Sequence, residues 1–236
     1  VMARDNTHSV TLSWDPVEGL NGGIIQPAKT RYDIFNVSDG YVSDSLTSVT
    51  GETEYEVTGM NNDEGEPQSY RTWAVRAVNG AGESSYGVAA IVVGKPYELP
   101  FHQSFKNATD EGLFMGINHG EGNYQWQITG EASVDGDGGS QAFSAQEAAQ
   151  GDVYTGKITL KGAKNPHLLF YYRAAQNLPA TLAASIEQKD GRLTKVFSCD
   201  LSQNTNDEWT RVVVKLPASL ATEDYVKLHF TGTAMQ

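Results

Sequence analysis

Apolar and polar residues alternate in short runs along this chain, and that period restricts what the chain can fold into. Successive side chains of a β-strand point to opposite faces of a sheet, so such alternation predicts strands with one buried face. In the first part of the chain the pattern occurs in residues 10–14, 32–37, 55–57 and 73–78. Turn signals such as Asp15-Pro16 and Asn79-Gly80 separate these runs. The chain is therefore expected to be all-β.

Residues 96–236 contain strand patterns of a second kind, in which several runs are apolar on both faces. These runs are 158–160, 168–173, 182–186, 212–214 and 226–230. Strands of this kind are typical of a two-layered structure whose second sheet covers the first. Residues 144–150 predict a turn or two of helix that ends at Gly151. The polar, glycine-rich spans 118–124 and 130–141 predict surface loops.

A proline-rich stretch, residues 94–101, separates the two blocks. Pro96 and Pro100 fix their own φ angles, so neither a helix nor an uninterrupted central strand can pass through. We predict two domains, 1–95 and 96–236. Roughly seven short strands in the first indicate an immunoglobulin-like β-sandwich, and the second is a larger β-sandwich. The link of about five residues predicts a semi-rigid rod, with Tyr97 or Leu99 at the interface between the domains.

Charge and cysteine content exclude several classes of function. The chain has 17 Lys and Arg residues against 29 Asp and Glu, a net charge of −12, and it has no basic run. It should therefore repel phosphates, and we expect no nucleic-acid partner. The single cysteine, Cys199, rules out an intrachain disulfide, and a small buried side chain is favoured over a reactive thiol. The sequence has no membrane-spanning run, and its abrupt start at Val1 suggests part of a longer multidomain protein.

The first block resembles a fibronectin type III domain. The segment 10–15 contains Trp14, which matches the family's core tryptophan, and residues 53–60 match its fifth strand. The most specific segment is 73–84, where alternating apolar residues run into Ala-Val-Asn-Gly-Ala-Gly-Glu-Ser. The resemblance implies recognition through loops, but the family's Arg-Gly-Asp integrin site is missing from this sequence. An acidic stretch fits either a cation site or a solvated strand face: Glu52, Glu54, Glu56, Asp63, Glu64 and Glu66.

The second block resembles the cleaved-adhesin or choice-of-anchor J domains, jelly rolls related to MAM domains in surface and secreted proteins of Bacteroidetes. The matching segments are 99–105, Trp126, 156–160, 165–173, 190–191, 209–217 and 226–230. Two departures weaken an inherited function. Lys106 and Asn107 follow Phe105, where the family commonly has an acidic residue associated with calcium. The sequence ends at Gln236 before the family's final strand, so we expect that strand to be missing and an edge to be exposed.

One loop is a candidate metal site. Asp135 and Asp137 lie two residues apart in a glycine-rich segment, where carboxylates and backbone carbonyls can converge on a hard cation such as calcium. A plain hairpin loop explains the same residues, and no Glu stands at the twelfth position as in an EF-hand. The five histidines lack the close spacing of a zinc site, so no zinc is predicted.

Two aromatic residues are candidates for ligand binding. Tyr124 and Trp126 lie on the same side of an extended segment, beside amide side chains, and could stack on a sugar ring. Aromatic residues on one side of a strand in a β-sandwich more often pack in the core, and that alternative remains open.

No catalytic constellation is found in the sequence. It has no Gly-x-Ser-x-Gly elbow, and no predicted strand of the second block carries paired acidic residues. We therefore predict a non-catalytic, extracellular or cell-surface adhesion or attachment region whose partner is a host or matrix protein or a glycan. The first alternative is a carbohydrate-binding accessory region of a secreted glycoside hydrolase or peptidase. The second is a hydrolase with an unfamiliar site in residues 96–236.

Overall fold

The computed structural model describes residues 1–6, 8–19, 25–60, 67–106, 119–130, 133–134, 136 and 139–235. Its described helical segments are short 3₁₀ turns, at Pro27–Lys29, Leu201–Gln203 and Ala218–Thr222. All named strand pairs are antiparallel, and the all-β class predicted from the sequence is confirmed. The chain forms two compact units, Val1–Lys95 and Pro96–Gln236.

The first unit is a sandwich of two sheets. Its strands are β1 (Met2–Asn6), β2 (Ser9–Ser13), β3 (Arg31–Ser38), β4 (Tyr41–Thr50), β5 (Glu54–Val57), β6 (Ser69–Asn79), β7 (Gly82–Glu83) and β8 (Gly87–Val93). One sheet has the order β1-β2-β5. The other has the order β4-β3-β6, and both β7 and β8 pair with β6. This arrangement is immunoglobulin-like.

Alternate side chains of these strands form the core of the first unit. Leu12, Ile34 and Trp73 are almost completely buried in it. Trp14 follows β2 directly and packs on Tyr32, with ring centroids 5.4 Å apart. The alternation seen in the sequence therefore becomes the inner and outer faces of the two sheets.

The second unit contains nine named strands among its described residues. They are β9 (His119–Glu121), β10 (Tyr124–Thr129), β11 (Ser140–Ala145), β12 (Ala149–Tyr154), β13 (His167–Tyr172), β14 (Ala180–Gln188), β15 (Leu193–Asp200), β16 (Thr210–Lys215) and β17 (Val226–Ala234). A five-stranded sheet has the order β15-β14-β17-β12-β9. Two smaller sheets, β10-β11 and β13-β16, have two strands each.

The two small sheets pack against the inner face of the five-stranded sheet. From β13, the ring of Phe170 contacts Phe230 and Phe197, with centroids 5.1 and 5.2 Å apart. From the β10-β11 pair, the rings of Tyr124 and Phe143 occupy the space beside glycines of β12 and β17, where a side chain would otherwise project. These contacts form a second, larger sandwich.

Three local expectations differ from the structure. No helix forms in residues 144–150: β11 continues to Ala145 and β12 begins at Ala149, because both segments pair with neighbouring strands. The run 158–160 forms only isolated bridges, in which Ile158 contacts Tyr97 and Val226. Within the span 118–124, which was expected to be a loop, β9 pairs with β12. Tertiary strand pairing overrides local composition in each case.

Residue Tyr97 of the proline-rich stretch is part of the second unit. Its backbone N–H donates to the carbonyl of Lys157, and its own carbonyl accepts from the N–H of Thr159, both at 2.9 Å. Its ring stacks on Phe101, with centroids 5.3 Å apart. Where the chain is described, no helix is long and apolar enough to cross a membrane.

Candidate functional site

The predicted ligand-binding residues Tyr124 and Trp126 lie on β10 and are half-buried. Both rings contact Phe143 across the β10-β11 pair, at centroid distances of 5.9 and 5.2 Å. The Trp126 indole N–H also donates to the carbonyl of Gly151 at 3.1 Å. The rings thus face the five-stranded sheet, and burial raises the pKa of Tyr124, as does the nearby charge of Asp152.

The predicted metal-binding residues, Asp135 and Asp137, lie outside the described residues. Calcium binding there stays a prediction. Among the residues that the structure does describe, no group of three or more His, Cys, Asp or Glu side chains is arranged to hold a metal ion.

A cleft of about 970 Å³ lies within the second unit. Residues 167–173 line it without interruption on one side, and residues 139–143 do so on another. Consecutive side chains of a strand point in opposite directions. All residues of a strand can therefore line the same cavity only if the cavity lies along the edge of that strand. The cleft therefore runs between the edges of β13 and β11, and we name it the edge cleft.

The floor of the edge cleft is apolar. It is formed by the inner face of the five-stranded sheet and includes Val153, Ile186, Leu228 and Phe230. Among the described strands, β13 pairs only with β16, and β11 pairs only with β10. Each edge that borders the cleft is thus without a partner strand in the described part of the chain, and an unpaired edge offers N–H and C=O groups to another strand.

Polar side chains also line the edge cleft. Gln103 accepts a hydrogen bond from the Phe105 N–H at 2.8 Å through Oε1, whereas its buried Nε2 has no partner among the described residues. The Arg173 guanidinium donates to the carbonyl of Asp207 and lies 3.6 Å from the Asp207 carboxylate. Trp209, which follows Asp207 by two residues, is half-buried and also lines the cleft. An indole, an amide, a guanidinium and a carboxylate thus surround the apolar floor.

A separate polar cluster lies on the opposite, outer face of the five-stranded sheet. His229 on β17 contacts Asp152 through Nδ1 at 2.9 Å and Glu187 through Nε2 at 2.5 Å. The Lys227 ammonium lies 2.8 Å from Glu187 and 5.0 Å from the ring centroid of Tyr154. Tyr154 in turn stacks on the imidazole at 5.0 Å. We name these five residues the His229 network.

Hydrogen bonds and charges within the His229 network favour the protonated form of His229 and the ionised form of Glu187. Burial alone would lower the pKa of His229, but the hydrogen bonds and charges of Asp152 and Glu187 outweigh it and raise that pKa above the usual 6.5. Burial would raise the pKa of Glu187, but His229 and Lys227 hold it below the usual 4.5. Glu187 thus contacts both the Lys227 ammonium and the His229 imidazole, and Asp152 contacts the same imidazole.

The two remaining candidates are Cys199 and the acidic stretch of the first unit, and the described residues of that stretch form no cluster arranged to hold a metal ion. Burial raises the pKa of the Cys199 thiol, although a hydrogen bond with Tyr172 partly opposes the shift. Of the acidic stretch in the first unit, Glu54 and Glu56 are exposed on β5, and Glu56 accepts a hydrogen bond from Ser9. Asp63, Glu64 and Glu66 lie outside the described residues.

The structure brings together groups that the sequence does not. Asp152, Glu187 and His229 come from three strands, and strand order alone places them side by side. The edge cleft likewise lies between strands of two separate sheets, which no local pattern reveals.

Comparisons with known proteins show no family for this chain. No family model matches it, and no curated protein does. Among solved structures, FN3tt is 26% identical, with a TM-score of 0.29, and the match covers 39% of this chain and 87% of that one.

Two matching structures are of carbohydrate-binding modules. A structure described as addressing the promiscuous specificity of carbohydrate-binding modules from the β-sandwich superfamily is 10% identical, at a TM-score of 0.40. That match covers 98% of this chain and 87% of that one. The Caldicellulosiruptor saccharolyticus CBM27-1 complex with mannohexaose is 12% identical, at a TM-score of 0.34, and the match covers 46% of this chain and 72% of that one. The cleaved-adhesin resemblance of the second unit stays a prediction.

Proposed function

We propose that this chain is a non-catalytic attachment region of an extracellular or cell-surface protein, and that its second unit binds an extended polypeptide segment of the partner in the edge cleft. One observation carries the proposal: the cleft is bordered by two strand edges that pair with no other described strand, above an apolar floor. Extended peptides bind such edges by adding a strand. Main-chain hydrogen bonds supply affinity in that mode, and alternate side chains supply specificity.

The geometry also favours a segment with apolar residues at alternate positions. Every second side chain of an added strand would point to the floor that contains Ile186 and Leu228. Burying apolar side chains there contributes about 25 cal/mol for each Å² removed from water.

A glycan is the second candidate ligand, because Trp209, Gln103, Arg173 and Asp207 line the same cleft. An aromatic face beside amide, guanidinium and carboxylate groups can stack on a sugar ring and bond its hydroxyls. In this second form the region would attach a secreted enzyme or adhesin to a carbohydrate.

Filling the cleft with a bulky side chain tests both candidate ligands, the peptide and the glycan. The full chain would be screened against a displayed library of extended peptides and against a glycan array. Gln141→Trp puts an indole into the cleft, on the face of β11 that carries Phe143, whereas Ser144→Trp adds the same ring on the opposite face of that strand, outside the cleft. We expect Gln141→Trp to abolish binding and Ser144→Trp to preserve it.

A third variant separates the two ligands. Trp209→Ala should weaken a glycan at least tenfold and leave a peptide bound at the strand edges nearly unaffected. Binding that survives Gln141→Trp would contradict the edge cleft as the site. Turnover of any array substrate would contradict the non-catalytic assignment.

A further inference from the structure

The small sheet β13-β16 has an outer face that differs in charge from the rest of this acidic chain. Alternate residues of the two strands point outward and are exposed, whereas the intervening residues Leu168, Phe170, Val212 and Val214 are more buried. The outward residues are His167, Leu169, Tyr171, Arg211, Val213 and Lys215, and we name them the ribbon face. None of them is acidic.

The ribbon face is arranged in three rows. His167 lies opposite Lys215, Leu169 opposite Val213, and Tyr171 opposite Arg211. The central row is aliphatic, and both of its residues are 48% exposed. Basic groups therefore stand at both ends of an exposed apolar row.

The cations of β16 are available to a partner. Arg211 and Lys215 are exposed and form no ion pair with any other described residue. Along a strand, residues four apart are about 13 Å apart, with the residue between them at about 7 Å from each. On β16 this places Val213 midway between the two cations.

The second edge of β16 is separate from the edge cleft. None of the residues 210–215 lines that cleft, and among the described strands β16 pairs only with β13. Lysine and arginine on an edge discourage pairing with a like strand. Two copies of β16 paired antiparallel about Val213 would place Lys215 opposite Arg211, and like charges directly opposite are destabilising.

From this arrangement we propose that the edge of β16 opposite β13 docks an extended acidic polypeptide strand of a partner protein. Its outward positions would read acidic, apolar and acidic at every second residue, opposite Lys215, Val213 and Arg211. Cross-strand neighbours lie about 5 Å apart, close enough for ion pairs at both ends and an apolar contact between them. A sugar acid or a polyphosphate matches the two cations but leaves the apolar row uncovered.

A designed peptide pair tests this docking on the full chain. The probe is a fluorescein-labelled seven-residue peptide that alternates threonine with glutamate, valine and glutamate. Its control replaces both glutamates with lysine. Fluorescence anisotropy should show binding of the glutamate peptide, weakened by added salt, and at least tenfold weaker binding of the lysine peptide.

Charge reversal then locates the site. The double variant Arg211→Glu/Lys215→Glu should bind the glutamate peptide at least tenfold more weakly than the parent chain does, and it should bind the lysine peptide more tightly. Lys29→Glu/Lys164→Glu makes the same change in net charge at exposed positions outside β16 and should bind as the parent does. Gln141→Trp, which fills the edge cleft, should also leave this binding unchanged, so the proposal can fail or succeed independently of the proposed function.

Three results would overturn the proposal. The first is equal loss of binding in both double variants, which would indicate nonspecific attraction. The second is equal binding of the two peptides to the parent chain. The third is tighter binding of a sulfated polysaccharide than of the peptide at the same site, which would assign β16 to polyanions.

Discussion

His229 contacts two carboxylates through its two ring nitrogens, so its ionisation bears directly on the stability of the second unit. Its pKa is raised in the folded chain, and the folded state therefore holds the proton more tightly than the unfolded state. The resulting stabilisation is complete below the unfolded pKa of about 6.5 and is lost as the pH rises through the folded value. Glu187, with its lowered pKa, contributes in the opposite sense and loses its stabilisation as the medium becomes acidic.

The pH dependence of unfolding tests this. We expect the free energy of unfolding of the second unit to fall as the pH is raised from about 6 to 9, and His229→Gln to flatten that slope. At about pH 6 the variant should also be less stable by about 1–3 kcal/mol, because it leaves buried charge less well paired. Urea denaturation at several pH values measures both effects.

The control for this measurement is His167→Gln, which removes an exposed histidine from the same unit. Its profile should follow that of the parent chain. Equal slopes in the parent and in His229→Gln would contradict the role of the His229 network.

At the scale of elements, the β10-β11 pair approaches the five-stranded sheet closely because glycines leave room for its rings. A Cβ at Gly151 would lie 2.0 Å from the Tyr124 ring, and one at Gly232 would lie 2.5 Å from the Phe143 ring. Real Cβ atoms do not approach other atoms so closely. A substitution there must displace the ring or the strand.

Gly151→Ala should therefore destabilise the second unit by about 1–3 kcal/mol. Gly80→Ala is the comparison, because a Cβ there meets no heavy atom within 4 Å. Thermal unfolding of both variants measures the difference. A melting temperature of the second unit that is the same in Gly151→Ala as in the parent chain would show that the aromatic rings do not depend on this glycine.

For some strands, the local sequence pattern is sufficient to predict which face is buried. The alternation in β2, β3 and β6 predicts their inner faces, since the core needs only every second residue of each strand. Residues 144–150 have helix-forming composition, yet β11 and β12 include most of them. Their hydrogen bonds to β10 and β17 outweigh a weak local preference.

At the scale of the whole molecule, the two units have separate cores. Leu12 is fully buried in the first core, and Ile186 is fully buried in the second. A core truncation removes contacts only within its own cluster, so its energetic effect should stay in its own unit.

Two truncations test that independence. Leu12→Ala should lower the stability of the first unit by about 2–5 kcal/mol, and Ile186→Ala should do the same for the second. Hydrogen exchange, measured along the chain, reports each unit separately. Loss of protection in both units from either variant would contradict independent cores.

The sequence by itself determined the all-β class and the inner faces of β2, β3 and β6, because strand period and turn residues act over a few residues. Only the tertiary structure decided the pairing order of the strands. That order brings Asp152, Glu187 and His229 together, places β11 and β13 along one cleft, and turns Tyr124 and Trp126 toward the sheet. Strand pairing joins residues far apart in the chain, and its energy depends on neighbours that no local pattern specifies.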